Sequence, residues 1–533
     1  MANQARRDKL VVAAIALAAT ITSLRNGFAY DDIPIIATNE RVHHLASWWS
    51  FFGTSYWPPQ YGESLYRPLS MLAYALEWAI GGGRPMVFHA ASIVLFMLLA
   101  VLVLMLLREL LDERAALAGG AIFAAHPVHT EAIANVVGQA ELLAAIGVVG
   151  AMVVYLRARR AGGPASGQAL GIAALYAAAS LSKEHALFLP LLIGAAELVL
   201  HRDTPGRART MKLLALLALT GAAVLGARTA VLGSLFGEQN PVEMDPSARL
   251  WMMLRVVPEW VRLLAWPAHL SSEYGPQQIE VIDGPTAIGV IGIVFLLAFV
   301  ASLVVCLTRQ RAASFGLAWL AITFVPVSNL VSGVVLQERT LMLPSVGFVV
   351  ILGAAFAWVW GRGSAARHRY ALMSLVALLL VAAVLRSAVR NPAWRDNPTL
   401  FAQMVKDAPL AYRAHYLYGS ELFNLNRPAD GERELRQAIA LGRNDSDPYN
   451  FLATKYREAR LYTQAIPLYR QALDIRPGRP DSRFGLALSL LETGEALGAR
   501  AQADTGLASG QLKSYFEWVR TRADSALLAR GPG

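Results

Sequence analysis

Cysteine is almost absent: Cys306 is the only thiol in 533 residues. That excludes an intrachain disulfide and a thiolate metal site built from this chain alone. Charge is also scarce, with 16% of residues charged and 55% hydrophobic, whereas a soluble domain carries about 25% charged residues. A chain this poor in charge does not clothe an ordinary soluble enzyme. The small basic surplus, a net charge of +10, lies mostly in short connections between apolar blocks, where it reads as a membrane-topology signal, so no nucleic-acid partner is indicated.

What is present in excess is arranged in blocks. Ala, Leu, Val and Ile run in separated stretches of about fifteen to twenty-three residues, the length that crosses a roughly 30 Å hydrocarbon layer. Blocks near residues 10–25, 86–107, 114–127, 140–156, 168–182, 186–200, 213–232, 285–307, 314–330, 345–360 and 370–389 predict about eleven spans. Lys and Arg collect in alternate connections: Arg6, Arg7 and Lys9; Arg108 and Arg114; Arg157, Arg159 and Arg160; Arg202, Arg207, Arg209 and Lys212; Arg309 and Arg311; Arg362, Arg367 and Arg369. Basic connections stay cytoplasmic. The expectation is therefore a multi-pass protein of the inner (cytoplasmic) membrane, with a cytoplasmic N-terminus and an extracytoplasmic region after Arg390, periplasmic in a Gram-negative cell. The first block also has the make-up of a cleaved secretory signal; the alternation that continues from it favours an uncleaved anchor.

From about Trp394 the chain turns polar and acquires a period of about 34 residues. Tyr449, Leu452, Ala453, Tyr456, Ala465, Tyr469, Ala472 and Pro477 occupy the large, small and helix-stopping positions of a tetratricopeptide (TPR) repeat. One period earlier stand Tyr418, Gly419, Leu422, Gly431, Leu435 and Ala438; one period later, Leu486, Ala487, Leu490, Ala499 and Ala503. Small residues let paired helices approach and large ones fill the gap between pairs. The expected organisation is a membrane domain over 1–390, with a first extracytoplasmic loop at 25–85, followed by a TPR α-solenoid over 391–533. Its repeats fall at 412–445, 446–479 and 480–513, with capping helices near 395–411 and 512–530. The fold class is all-α: a polytopic helical bundle with a C-terminal solenoid that recognises a protein acceptor or partner.

The remaining polar motifs fall on one side of that topology. They are Asp31 and Asp32; "HPVHTEAI" with His126, His129 and Glu131; "LSKEHA" with Lys183 and Glu184; "SSEYGP" (Ser271 to Pro276); and "LQERTLMLP" with Glu338 and Arg339. Each has a structural reading. A carboxylate at the membrane edge costs little, Asp32 before Ile33 and Pro34 suits a helix N-cap, and Pro127 breaks the helix that would pair His126 and His129 on a metal. No third ligand follows at zinc spacing, so no metal site is assigned and a divalent metal is not indicated. Taken together, the motifs read as the wall of one extracytoplasmic cavity. "VHHLASWWSFFGTSYW" (Val42 to Trp57) reads as an amphipathic helix on the membrane surface. Arg67 in "YRPLS" is either a phosphate fork at headgroup depth or a snorkelling side chain.

The acidic pair, "YRPLS", "FHAASIVLF" (Phe88 to Phe96), "FAAHPVHTEAIANVVGQAELLA" (Phe123 to Ala144), "SKE", "SNLVSGVVLQERTLMLPSVGF" (Ser328 to Phe348) and the TPR tail, in that order, resemble the transmembrane-and-TPR O-mannosyltransferase family, part of the GT-C class of multispanning glycosyltransferases. "HPVHTEA" and "ERTLMLPSVGF" are the specific pieces. The chain departs from the family in having few TPR units and in carrying "GQAE" (Gly138 to Glu141) where many relatives have an arginine and an aspartate. The resemblance implies inverting transfer of a mannose-like sugar from a polyprenyl-phosphate carrier to a hydroxyl, without a nucleotide sugar. It implies Asp31 or Asp32 as the base, Arg67, Lys183 and Arg339 at the phosphate, and His126, His129, Glu131, Glu184 and Glu338 at the sugar or behind it. Membrane lipid, the lipid-linked donor and a protein acceptor are the implied partners. The rival readings are the same chemistry on a lipid or polysaccharide acceptor, and a non-catalytic membrane-anchored TPR scaffold.

Overall fold

Helices supply every regular element among the described residues of the computed structural model, which are 2–62, 64–201, 206–234, 245–275, 279, 284–328, 336–362 and 366–529. The all-α expectation holds. Arg202 and residues 329–335 of the Ser328-to-Phe348 motif lie outside the described residues. The chain divides into two compact units, one of residues 1–272 and 281–400, the other of 273–280 and 401–533.

Among the described residues of the first unit six helices are long and apolar enough to cross a membrane: Pro85–Leu110, Val136–Arg160, Arg207–Leu232, Ala287–Arg309, Glu338–Arg362 and Ala366–Trp394. These coincide with six of the expected blocks. The blocks at 10–25, 114–127, 168–182, 186–200 and 314–330 form the helices Ala2–Thr20, Glu113–Ala125, Ser166–Ser182, Leu189–Val199 and Arg311–Phe324, of 19, 13, 17, 11 and 14 residues. The count of about eleven therefore includes helices that do not reach spanning length and apolarity by themselves. Charge interrupts the first, and Pro127, Pro190 and Pro326 stand where helical runs stop or start.

The helix within Val136–Arg160 is the hub, 83% buried over its apolar window, whereas Ala287–Arg309 and Ala366–Trp394 are only 6% buried. Helices apolar all round and uncovered by protein face lipid. Phe96, Leu99, Val103, Phe123, Leu142, Val148, Trp319 and Val350 pack into the core around the hub. Helices Arg311–Phe324 and Met342–Arg362 cross at two glycines: a Cβ on Gly316 would lie 2.8 Å from the Gly347 carbonyl oxygen, and one on Gly347 would lie 2.7 Å from that of Gly316. Only glycine permits so close a backbone approach.

The second unit stacks helical hairpins Tyr412–Asn424 with Pro428–Leu441, Ser446–Glu458 with Tyr462–Ile475, and Pro480–Glu492 with Ala496–Ala508, followed by Lys513–Ala529. Leu452, Ala453, Ala465, Tyr469, Ala487, Ala499 and Ala503 are buried in its core, as a periodic repeat requires. Phe516 and Val519 of the last helix close that core.

Candidate active site at the helix joints

The chemistry-bearing residues sit where helices break. Arg67 precedes Pro68, whose ring starts the helix Pro68–Gly81 and keeps the residue before it out of helical geometry. Lys183 is extended, at φ −158° and ψ 142°, between the helix Ser166–Ser182 and the 3₁₀ turn Glu184–Phe188. Glu131 lies in the short helix Thr130–Ala134, and Arg339 in the 3₁₀ turn Glu338–Leu341 that leads into Met342–Arg362. Irregular backbone at such depth persists only where protein surrounds it or it lines a cavity.

Arg339 ties its own joint to that of Glu131 and to Asp31. Its Nη1 donates to Asp31 Oδ2 at 3.4 Å, its backbone N–H donates to Glu131 Oε2 at 3.0 Å, and its Nε stands 3.6 Å from Glu131 Oε1. Arg67 makes a two-pronged pair with Glu184, with Nε and Nη2 donating to Oε2 at 3.1 and 2.8 Å. Arg228 adds a third donor to the same carboxylate at 3.2 Å. Burial alone would raise Glu184, but Arg67 and then Arg228 hold it down at about 2. Lys183 pairs with Glu141, and His185 Nε2 lies 3.0 Å from the other oxygen of that carboxylate. Burial pushes Lys183 down to about 8 against the pull of Glu141, and the charges of Arg67 and Arg339 push the same way. Burial also raises Glu131, opposed by Arg339. These pairs feel one another's charge: Arg339 interacts with Asp31, Glu141 and the Tyr56 phenol, whose ring also stands 5.2 Å from the Arg67 guanidinium carbon. The result is one continuous cluster with cations and carboxylates interleaved.

The two aspartates differ sharply. Asp31 is 18% exposed and meets Arg339. Asp32 is fully buried and accepts backbone N–H groups from Val137 at 2.9 Å, Val136 at 3.2 Å and Ala29 at 3.4 Å. It is an anchor, but for the turn Val136–Gly138 and not for its own helix, whose first turn it does not cap. Burial raises its carboxyl to about 7, against the three backbone donors.

The structure brings Asp31, Arg67, Glu131, Lys183, Glu184 and Arg339 together. The other three candidates make the following bonds. His126 bonds the Leu264 carbonyl at 2.9 Å and caps the turn after itself through Val128 N–H. His129 bonds Ser345 Oγ at 2.9 Å and packs against Phe96 and Phe123, and burial holds it well below its usual pKa. Glu338 is buried and accepts the Ser271 N–H at 2.6 Å. Among the described residues no group of three His, Cys, Asp or Glu side chains converges as a metal's ligands would. The surface segment also differs from its expectation: after the short helix Glu40–His43 it winds as a 3₁₀ stretch, Leu45–Gly53, kinked at Ser47. Trp49 is 66% exposed there, and Phe51 is buried.

Three members of the cluster were not singled out by sequence. Glu141 was noted only within "GQAE", His185 only within its motif, and Arg228 was not noted at all inside the apolar block 213–232.

Residues 456–516 match the family described as tetratricopeptide repeat. The chain is 28% identical over 480 residues to the human Protein O-mannosyl-transferase TMTC4, a match covering 78% of this chain and 63% of that protein. To the mouse Protein O-mannosyl-transferase TMTC3 it is 24% identical over 587 residues, covering 94% and 63%. A 33% identical stretch of 287 residues matches the Drosophila melanogaster Protein O-mannosyl-transferase Tmtc2, covering 50% and 30%. The chain thus spans about 63% of the length of the first two relatives. Among solved structures it is similar to the archaeal oligosaccharyltransferase AglB from Archaeoglobus fulgidus in complex with an inhibitory peptide and a dolichol-phosphate, at 14% identity and a TM-score of 0.45, covering 81% of this chain and 59% of that one. The resemblance read from the motifs is matched by the named O-mannosyl-transferases.

Proposed function

We propose that this chain is a membrane glycosyltransferase that moves a mannose-like sugar from a polyprenyl-phosphate carrier to a protein hydroxyl at the extracytoplasmic face. The observation that carries the reading is the asymmetry of the acidic pair. Asp31 has a partly exposed carboxylate beside Arg339, whose charge Lys183 also feels, while Asp32 is sealed by three backbone donors. The likeness to named O-mannosyl-transferases supports the sugar and the acceptor class.

In this reading Asp31 is the general base. It accepts the proton of the acceptor hydroxyl as that oxygen bonds to the anomeric carbon, and the bond from that carbon to the carrier phosphate oxygen breaks with its electron pair on the phosphate. Arg339, Lys183 and Arg67 oppose the charge that develops there, in a site where water is largely excluded. A base facing away from the leaving phosphate makes the single displacement inverting. Asp32 positions Asp31 and the turn at Val136; Glu131, Glu141 and Glu184 hold the cations in place until the phosphate arrives. The domain division at 390/391, the cytoplasmic N-terminus and the extracytoplasmic TPR unit complete the proposal, with the solenoid delivering the acceptor.

The test is sugar transfer in sealed vesicles holding the purified full chain. Polyprenyl-phosphate mannose with a labelled sugar is supplied with a membrane-impermeant hydroxyl-bearing peptide on the TPR side. Label on the peptide is the expected result. Label that stays on the lipid, with the protein correctly inserted, contradicts the activity.

A further inference from the structure

Residues 388–397, which close the last long apolar helix and open the helix Asn397–Asp407, run alongside residues 19–30, and both stretches belong to the first unit. The bonds between them advance in step toward the acidic pair. Asn391, fully buried, donates its side-chain amide to the Ala19 carbonyl and to Thr22 Oγ1, both at 2.9 Å, and its backbone carbonyl accepts Asn26 Nδ2 at 3.0 Å. The Gly27 N–H donates to the Arg395 carbonyl at 2.8 Å, an approach that a Cβ on Gly27, 3.0 Å from that oxygen, would crowd. His89 Nε2 bonds the Gly27 carbonyl at 3.0 Å. The last bond of the series is the Tyr30 N–H donating to Asn397 Oδ1 at 2.7 Å, across 367 residues of sequence.

That bond falls on an unusual turn. Tyr30 has left-handed backbone, at φ 55°, which is uncommon for a residue with a side chain and persists only where the surroundings over-determine it. Immediately after the turn, Asp31 meets Arg339 and Asp32 meets the N–H groups of Val136 and Val137. The chain is fixed again just beyond, where Ile35 and Ile36 of the π turn Ile33–Ala37 are buried in one core with Val42, Phe51 and Tyr74. Asp31 therefore stands between two pinned points, and Asn397 holds the first. The helix that Asn397 opens does not depend on its side chain, because Asp396 Oδ1 accepts the Thr399 N–H at 2.9 Å and serves as the cap. The carboxamide oxygen of Asn397 is spent on the turn before the acidic pair.

We propose that Asn397 is a positioning residue for the Asp31 carboxylate, an inference that rests on the reading of Asp31 as the base. It acts through the Tyr30 turn and not on the reacting atoms: it sets the direction in which Asp31 leaves the backbone, and so the geometry in which that carboxylate meets the acceptor hydroxyl. A misplacement of about 1 Å at a reacting group costs on the order of 10²-fold in rate. Because the loss falls on the chemical step, it lowers kcat and leaves the KM for the donor in place.

The test is steady-state transfer from labelled polyprenyl-phosphate mannose in vesicles by the unaltered full chain, Asn397→Ala, Asn397→Asp and Asp31→Asn. The expected result is a kcat for Asn397→Ala lower by about tenfold to 10²-fold at an unchanged donor KM, with most of the loss restored in Asn397→Asp, whose carboxylate oxygen accepts the same N–H. Full kcat in Asn397→Ala beside a lost rate in Asp31→Asn overturns the proposal and leaves the base reading standing, as does an equal loss in Asn397→Ala and Asn397→Asp. Full transfer by Asp31→Asn overturns the base reading and the proposal with it. A second readout needs no activity. With the single native thiol removed by Cys306→Ala, Asp31→Cys reports the orientation of position 31 through its rate of alkylation by a small maleimide. That rate should change several-fold when Asn397→Ala is added and stay near its starting value with Asn397→Asp; an unchanged rate with Asn397→Ala overturns the proposal.

Discussion

Asp32 spends both carboxylate oxygens on backbone N–H groups, two of them 104 and 105 residues further along the chain. Its neighbour is left to meet Arg339. That division of labour was only half legible. Two acids after an apolar block are visible in sequence, and so is the suitability of Asp32 as a cap, but the segment it caps is distant and no spacing reveals it. The same limit hid Glu141 and Arg228, whose roles come from Lys183 and Glu184 on other helices. The resemblance implied His126, His129 and Glu338 at the sugar or behind it; in the fold they bond a carbonyl, a hydroxyl and an N–H group.

Asp32 also has a measurable signature. Its folded-state pKa is raised to about 7 by burial, so the folded chain keeps a proton that the unfolded chain releases above the ordinary carboxyl value. The unfolded state then binds fewer protons, and the contribution of Asp32 to stability falls as pH rises from about 4 to about 7, with no further change above. Infrared spectra of the purified chain should show a protonated carboxyl that disappears near pH 7 and is missing in Asp32→Asn. A carboxyl that is already ionised at pH 5 would contradict the burial argument.

At the scale of elements, glycine pairs set two helix crossings, one in each unit. Gly316 meets Gly347 among the membrane helices; in the repeats a Cβ on Gly419 would lie 3.0 Å from the Gly431 carbonyl oxygen, and one on Gly431 would lie 2.9 Å from that of Gly419. The repeat pair was legible because its position recurs with the period as a small residue. The membrane pair was not, since two isolated glycines in apolar runs do not announce that they face each other. Gly347→Ala places a methyl against backbone that cannot swing aside, and should lower stability by about 1–3 kcal/mol, read as a lower thermal midpoint in detergent. Because that helix follows the turn holding Arg339, activity should fall with it. An unchanged midpoint would show that the two helices can separate without loss.

At the scale of the whole molecule, hydropathy alone indicated a multi-pass helical chain with a polar helical tail, and the six long apolar helices and the stacked hairpins agree. The number of spans was less legible. Apolar blocks run through proline breaks that end helices early, so a block such as 186–200 yields only the 11-residue helix Leu189–Val199. Those breaks are also where Lys183, Glu131 and Arg339 stand, so the feature that obscures the span count is the one that builds the site.

The most direct measurement is the rate of sugar transfer from a labelled polyprenyl-phosphate donor by Asp31→Asn and Asp32→Asn, compared in vesicles at equal amounts of correctly inserted protein. Loss of a positioned general base removes about 10²–10⁴ of the rate, so Asp31→Asn should fall by that factor at every pH, whereas Asp32→Asn should keep measurable transfer with altered stability. Full transfer by Asp31→Asn would contradict the account.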